Sequence, residues 1–163
     1  MPVRRYLAAA TLPLLVTAVT ALPASATGLD SATSQRATAG PHLLNRAAGF
    51  CLDASVSQGV TLKPCNRNSP YQKWSYPSNG FIFHLQSDRC LDASVSQGVR
   101  LMPCNFETDT PSPFQVFART GKGQLRPNAA ENCVDGSLSH GVRLVRCNTS
   151  DYQWWIEITP DMP

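Results

Sequence analysis

Three aspartates each stand two residues after a cysteine: Asp53 after Cys51, Asp92 after Cys90 and Asp135 after Cys133. Glycoside hydrolysis needs two carboxylates facing one bond. These three occupy the same place in separate copies of one segment, so they are not expected to form such a pair. No G-x-S-x-G elbow accompanies the serines and histidines either, and a non-catalytic protein is expected. Two tasks remain for each carboxylate. It accepts charge-assisted hydrogen bonds from a ligand, or it caps its own turn through its side chain.

The six cysteines are Cys51, Cys65, Cys90, Cys104, Cys133 and Cys147. None shows the C-x2-C or H-x3-H spacing of a zinc site, and His42, His84 and His140 stand singly, so no metal and no cofactor are expected. In an exported chain an even number of cysteines implies disulfides, and six of them allow 15 pairings. A constant separation of 14 positions, 51 to 65, 90 to 104 and 133 to 147, favours three local bridges. Closing a loop of about 15 residues contributes about 3 kcal/mol on the chain-entropy account.

Export itself is read from the first residues. Met1–Ala26 opens with Arg4 and Arg5, runs through apolar residues from Leu7 to Leu22, and ends Ala24-Ser25-Ala26. That is the pattern of a secretory signal peptide, which makes the protein secreted and extracellular. Residues 27–41 are rich in Ala, Ser, Thr and Gly and read as a flexible leader. Of 14 Lys plus Arg against 11 Asp plus Glu, two arginines lie in the signal, leaving 12 against 11. A charge so close to neutral, without a basic stripe, excludes nucleic acid as a partner. It gives no support for an anionic membrane surface, and no membrane insertion is expected.

The elements that must position the aspartates repeat as well. CLDASVSQGV occurs at Cys51–Val60 and again at Cys90–Val99, with CVDGSLSHGV at Cys133–Val142. The periods are 39 and 43 residues, and each copy ends in Gln72-Lys73-Trp74, Gln115-Val116-Phe117 or Gln153-Trp154-Trp155. Three units of this length form a solenoid or a closed array. The apolar segments are short: His42–Leu44, Val60–Leu62, Phe81–Leu85, Val99–Met102, Phe114–Phe117, Val142–Val145 and Trp154–Ile158. Turn residues separate them and no helical periodicity appears, so the domain is all-β. An open stack would leave strand edges exposed, and closure around a threefold axis avoids this. Trp74, Phe117 and Trp155 are expected in the core, together with Val60, Leu62 and their counterparts. Gly59, Gly98 and Gly141 fit turns that need positive φ.

The C-x-D, the second cysteine and the Q-x-W, or Q-x-F in the middle copy, together resemble the ricin B-type β-trefoil lectin family. The likeness spans a domain at 42–159, with repeats at about 42–76, 77–119 and 120–159. It implies a β-trefoil of three C-x-D…C…Q-x-W repeats with pseudo-threefold symmetry: twelve strands, four per repeat, in a six-stranded barrel capped by three hairpins. It also implies up to three carbohydrate sites. Asp53, Asp92 and Asp135 would accept bonds from sugar hydroxyls, with Gln72, Gln115 and Gln153 near the sugar and also tying each lobe together. The family's galactose binders carry an aromatic platform two places before the second cysteine, where this chain has Lys63, Met102 and Val145. Tyr71 and Tyr152, which precede the glutamines, offer an aromatic surface from the other wall or pack over the hairpin.

The expected function is a secreted, monomeric, multivalent lectin-like module for a polysaccharide or glycan, with some sites partly decayed. The alternative is a secreted protein-binding or inhibitory β-trefoil that has lost its sugar sites. The second repeat is the weakest candidate, because it lacks the tyrosine and carries the insert Glu107–Pro113.

Overall fold

A computed structural model describes residues 40–106 and 111–159. The expected signal peptide at 1–26, all but the last two residues of the leader at 27–41, and positions 107–110 of the insert lie outside the described residues.

Twelve strands and no α-helix occur among the described residues. The first repeat supplies β1 (His42–Asn45), β2 (Cys51–Ser55), β3 (Gly59–Lys63) and β4 (Trp74–Ser75). The second supplies β5 (Phe83–His84), β6 (Arg89–Ser94), β7 (Gly98–Pro103) and β8 (Phe117–Arg119). The third supplies β9 (Leu125–Pro127), β10 (Asn132–Ser137), β11 (Gly141–Arg146) and β12 (Trp155–Ile158). Three expected apolar runs start later than their first residue: Phe81 makes only an isolated bridge ahead of β5, Phe114 lies in a turn, and Trp154 precedes β12.

Hairpins β2–β3, β6–β7 and β10–β11 share one construction. Each has a three-residue turn, residues 56–58, 95–97 or 138–140, followed by Gly59, Gly98 or Gly141 at φ 75°, 72° and 72°. A three-residue loop ending in a left-handed residue is a favoured hairpin connection, and glycine adopts that conformation without steric cost. The remaining strands pair between repeats, as β4–β5, β8–β9 and β12–β1. The β1–β12 ladder runs from His42 opposite Ile158 to Asn45 opposite Trp155, so the last strand closes on the first.

Within each repeat the barrel is joined by one backbone bond to the Q-x-W aromatic. Trp74 N donates to Pro41 O at 3.0 Å, Phe117 N to Gly80 O at 2.9 Å, and Trp155 N to Gly123 O at 3.3 Å. A Cβ on Gly123 would lie 2.6 Å from Trp155 O, so in the third repeat this approach requires glycine. Trp74, Phe117 and Trp155 are buried in one core with Leu43, Ile82 and Leu125, and with Leu52, Leu91 and Val134. Each trio holds one residue per repeat. The Trp74 and Trp155 indole N–H groups donate to Leu52 O and Val134 O, at 3.1 and 2.9 Å. Val60, Leu62 and their counterparts pack on this core half-buried.

The three expected disulfides are present: Cys51–Cys65, Cys90–Cys104 and Cys133–Cys147. Each ties the start of its hairpin to the chain just beyond it, with Cα atoms 4.9 to 5.0 Å apart. The all-β trefoil with threefold repetition is therefore the fold.

Candidate functional site

Asp53, Asp92 and Asp135 lie on β2, β6 and β10 and are only 4 to 5% exposed. A carboxylate this far from water needs a charged partner, and each has one across its own hairpin. Arg100 stands directly opposite Asp92, with Nε 3.0 Å from Oδ1. Arg143 stands opposite Asp135 in the same way, at 3.4 Å. In the first repeat the residue opposite Asp53 is Thr61, and the cation comes from Lys63, two places further along β3, with Nζ 3.1 Å from Oδ1. The same charge thus reaches the same carboxylate from two different strand positions. Lys63 occupies the place where the resemblance implied an aromatic platform in galactose binders. Met102 and Val145, opposite Cys90 and Cys133, are not aromatic either.

The aspartates do not cap their turns, one of the two tasks the sequence left open to them. Serine two residues on does so: Ser55, Ser94 and Ser137 Oγ accept from the N–H of Gln58, Gln97 and His140 at 3.0 to 3.1 Å. A hydroxyl there reaches the turn backbone, whereas the aspartate side chain points to the opposite strand.

Gln72, Gln115 and Gln153 are buried and hold the chain around the second cysteine of each pair. Their Oε1 atoms accept from the N–H of Asn66, Asn105 and Asn148 at 2.8 to 2.9 Å. Their Nε2 atoms donate to Pro64 O, Pro103 O and Arg146 O at 3.0 to 3.1 Å. Each glutamine thereby bonds the residue before the cystine and the residue after it. In the first repeat Gln72 Nε2 also lies 3.2 Å from Asp53 Oδ2, which fixes that carboxylate from a second side.

The residues before the glutamines face solvent: Tyr71, Phe114 and Tyr152 are 45%, 41% and 46% exposed. Their backbones are held differently. Tyr71 and Tyr152 sit in single 3-10 turns, Pro70–Gln72 and Asp151–Gln153. His84 Nε2 lies 3.2 Å from Tyr71 O, and Asn45 Nδ2 donates to Tyr152 O at 2.8 Å. His84 and Asn45 are equivalent, each six residues before the first cysteine of its repeat, and both are fully buried. The third residue of this set is Pro127, whose ring carries no donor. Phe114 O accepts instead from Ala93 N at 2.9 Å.

A carbonyl at Nε2 calls for the tautomer protonated there, and Nδ1 then accepts from Ser87 Oγ at 2.7 Å. Burial pushes the His84 pKa down, against the opposing pull of Tyr71 O and Asp53, which favours the neutral ring. His42 is pushed down as well, by burial and then by nearby Lys73. Beside Tyr71 a cleft of about 530 Å³ opens between the first and second repeats.

Of the eight expected binding residues, Asp53, Tyr71 and Gln72 gather on the first repeat. Asp135, Tyr152 and Gln153 fall on the third, while the second contributes Asp92 and Gln115 with an exposed phenylalanine. Sequence reasoning missed the partner cations, the serine caps and the buried donors His84 and Asn45. The Asp92–Arg100 and Asp135–Arg143 pairs were within reach, because a hairpin centred on its turn places those residues opposite each other. Lys63 was not, since it reaches its carboxylate diagonally.

Residues 29–105 match the family of the Ricin-type beta-trefoil lectin domain. No curated protein matches the chain. Solved structures similar to it include a non-toxic homologue of type II RIPs from bitter gourd in complex with α-methyl-D-galactoside. That likeness has 19% identity and a TM-score of 0.61, over 72% of this chain and 47% of that one. This chain therefore spans about half the length of the bitter gourd protein. The C-half of an earthworm R-type lectin, in complex with GalNAc, is 15% identical with a TM-score of 0.59, over 73% of this chain and 97% of that one. ThreeFoil, a designed threefold-symmetric protein, is 17% identical with a TM-score of 0.54, over 72% and 96% of the two chains. These likenesses agree with the strand order and the internal symmetry described above. The family match over residues 29–105, carried on a threefold β-trefoil with a C-x-D carboxylate in every repeat, makes the chain similar to the ricin-type β-trefoil lectin domains.

Proposed function

We propose that the protein is a secreted, non-catalytic, multivalent carbohydrate-binding module that acts as a monomer on a polysaccharide or glycan. One observation carries this reading. In the first repeat Gln72 bonds the Asp53 carboxylate, and its neighbour Tyr71 stands 45% exposed. A charged acceptor and an open aromatic ring on one lobe match the hydroxyl edge and the apolar face of a sugar. The third repeat offers Asp135 and Tyr152, so two lobes can engage one polymer. Pairing weak sites gains about 10²–10⁴ in avidity. Three disulfides suit an extracellular protein. Sugars bound by the bitter gourd and earthworm proteins support glycan binding as a class, while Lys63, Met102 and Val145 argue against a galactose-type platform here.

A second reading is favoured by the cations. Lys63, Arg100 and Arg143 cover carboxylates that are nearly closed to solvent. A trefoil whose sugar sites have decayed, and whose loops contact a protein, would look like this. A glycan array and an insoluble-polysaccharide pull-down with the oxidised protein separate the two. The lectin reading expects binding that weakens at least about tenfold in Asp53→Ala, the loss of a charge-assisted bond, at a temperature where the variant's melting curve shows it folded. Silence across the panel from folded protein would leave the protein-binding reading.

A further inference from the structure

The three repeats act as controls for one another, because a residue that the fold requires recurs and one added for another purpose does not. From the turn between the first two strands of each repeat to the start of the second of them, the second repeat reads Gln86-Ser87-Asp88-Arg89 before Cys90. The equivalent positions are Ala47-Ala48-Gly49-Phe50 before Cys51 and Ala129-Ala130-Glu131-Asn132 before Cys133. The fold accepts alanine twice where the second repeat has Gln86 and Ser87, and accepts phenylalanine or asparagine in place of Arg89.

These three polar residues, with buried His84, form one wall of the cleft of about 530 Å³. Ser55, Val56, Ser57 and Tyr71 from the first repeat form the other. Neither Asp53 nor Gln72 lines it. Arg89 makes no ion pair among the described residues, and its neighbour Asp88 is not in the lining. The wall is also held in place. His84 binds Tyr71 O on one side and Ser87 Oγ on the other, fixing the two repeats across the gap. With its proton directed at His84, the Ser87 oxygen keeps a lone pair for a hydroxyl donor. Val56 is 65% exposed at the hairpin tip, an apolar side chain that no core contact explains.

We propose that this cleft between the first and second repeats is a separate binding site for an anionic saccharide unit, a sugar ring bearing a carboxylate or a sulfate. Arg89 takes the oxyanion, for which a planar guanidinium is suited. Tyr71 and Val56 cover the apolar ring face, while Ser57, Gln86 and Ser87 serve the hydroxyls. The site shares Tyr71 with the lobe described under Proposed function and rests otherwise on different residues.

The test is isothermal titration of the full chain with a galacturonic acid oligomer, a sulfated galactose oligomer and a neutral galactose oligomer of equal length. At least one anionic oligomer should bind at least about tenfold tighter than the neutral one, the gain from one charge-assisted contact. The preference should fade as salt is raised, because the contact is partly exposed. Arg89→Asn, which copies the residue the fold already carries at position 132, should erase the preference without moving the melting temperature. Asp53→Ala should leave it intact. Gln86→Ala, copying position 47, should weaken all binding in the cleft by a smaller factor. Equal binding of the three oligomers, a preference that survives Arg89→Asn, or no binding at all would overturn the proposal. So would a preference lost in Asp53→Ala, which would move the anion to the C-x-D pocket. Neutral binding indifferent to Asp53→Ala would instead remove the lobe reading and leave the cleft standing.

Discussion

The hairpins at Cys51–Val60 and Cys90–Val99 are identical in sequence over ten residues, and their backbones agree. Ser55 and Ser94 cap the turns at 3.0 and 3.1 Å, and Gly59 and Gly98 take φ of 75° and 72°. Their surroundings differ. Asp53 is held by Lys63 and Gln72, Asp92 by Arg100. The first tip faces Gln86, Ser87 and Arg89 across a cleft. By the threefold relation, the counterparts of those residues beside the second tip are Ala129, Ala130 and Asn132. Identical residues therefore fix identical turns, while what a turn can bind is decided by the repeat beside it. Ser55 and Gly59 recur because the turn requires them. Val56, Val95 and Leu138 are 61 to 71% exposed, so packing does not explain their recurrence.

The comparison breaks most severely at the core. Trp74→Ala removes the anchor of the first hairpin and its bond to Leu52 O, and should cost about 3–5 kcal/mol in equilibrium urea unfolding. Tyr71→Ala, three residues away and exposed, should stay within about 0.5 kcal/mol. The difference between the tips is sharpened by giving the second tip the neighbours of the first. Ala129→Gln, Ala130→Ser and Asn132→Arg together should add a second anionic-saccharide site, read as a rise in titration stoichiometry from one to two. An unchanged stoichiometry would show that Tyr71, which Phe114 replaces, is also needed.

Lys63→Met installs the second repeat's residue at the diagonal position. The Lys63 side chain is 45% exposed, so screening limits the loss to about 1 kcal/mol or less in thermal melts. The smallest effect is on pH. His84 and His42 are both held below the ordinary imidazole value of 6.5. The unfolded chain therefore takes up protons first as pH falls, and stability present above about 6.5 declines on acidification toward the lower folded-state values. His84→Asn, copying Asn45, keeps a donor for Tyr71 O and should flatten that slope in melts between pH 7 and pH 5. An unaltered slope would assign the effect to His42.

Much of the fold was legible because it is written locally and three times. Equal cysteine spacing gave the bridges, and the glycine after each three-residue turn gave the hairpins. The recurring aromatic gave the core, since one large apolar residue per repeat must meet its equivalents near the axis. The site was less legible. The glutamines read as lying near the ligand and as ties, and their bonds on both sides of the cystine supply the tie. The aspartates read as caps or ligand acceptors. Whether a carboxylate on a strand turns toward its own turn or toward a cation depends on the opposite strand, and in the first repeat that cation is off register.

The sequence alone determined the hairpins, the disulfides, the buried aromatics and a closed threefold β architecture, because each follows from spacing within one repeat or from its recurrence; the trefoil itself was implied by the family resemblance. The tertiary structure decided which repeat presents a usable surface. His84 and Tyr71 stand 13 residues apart and Asn45 and Tyr152 107 apart, yet each pair makes an equivalent bond. The cleft exists because Arg89 and Ser55, from different repeats, line the same gap. Such juxtapositions depend on how the ring of repeats closes, and no local spacing encodes that.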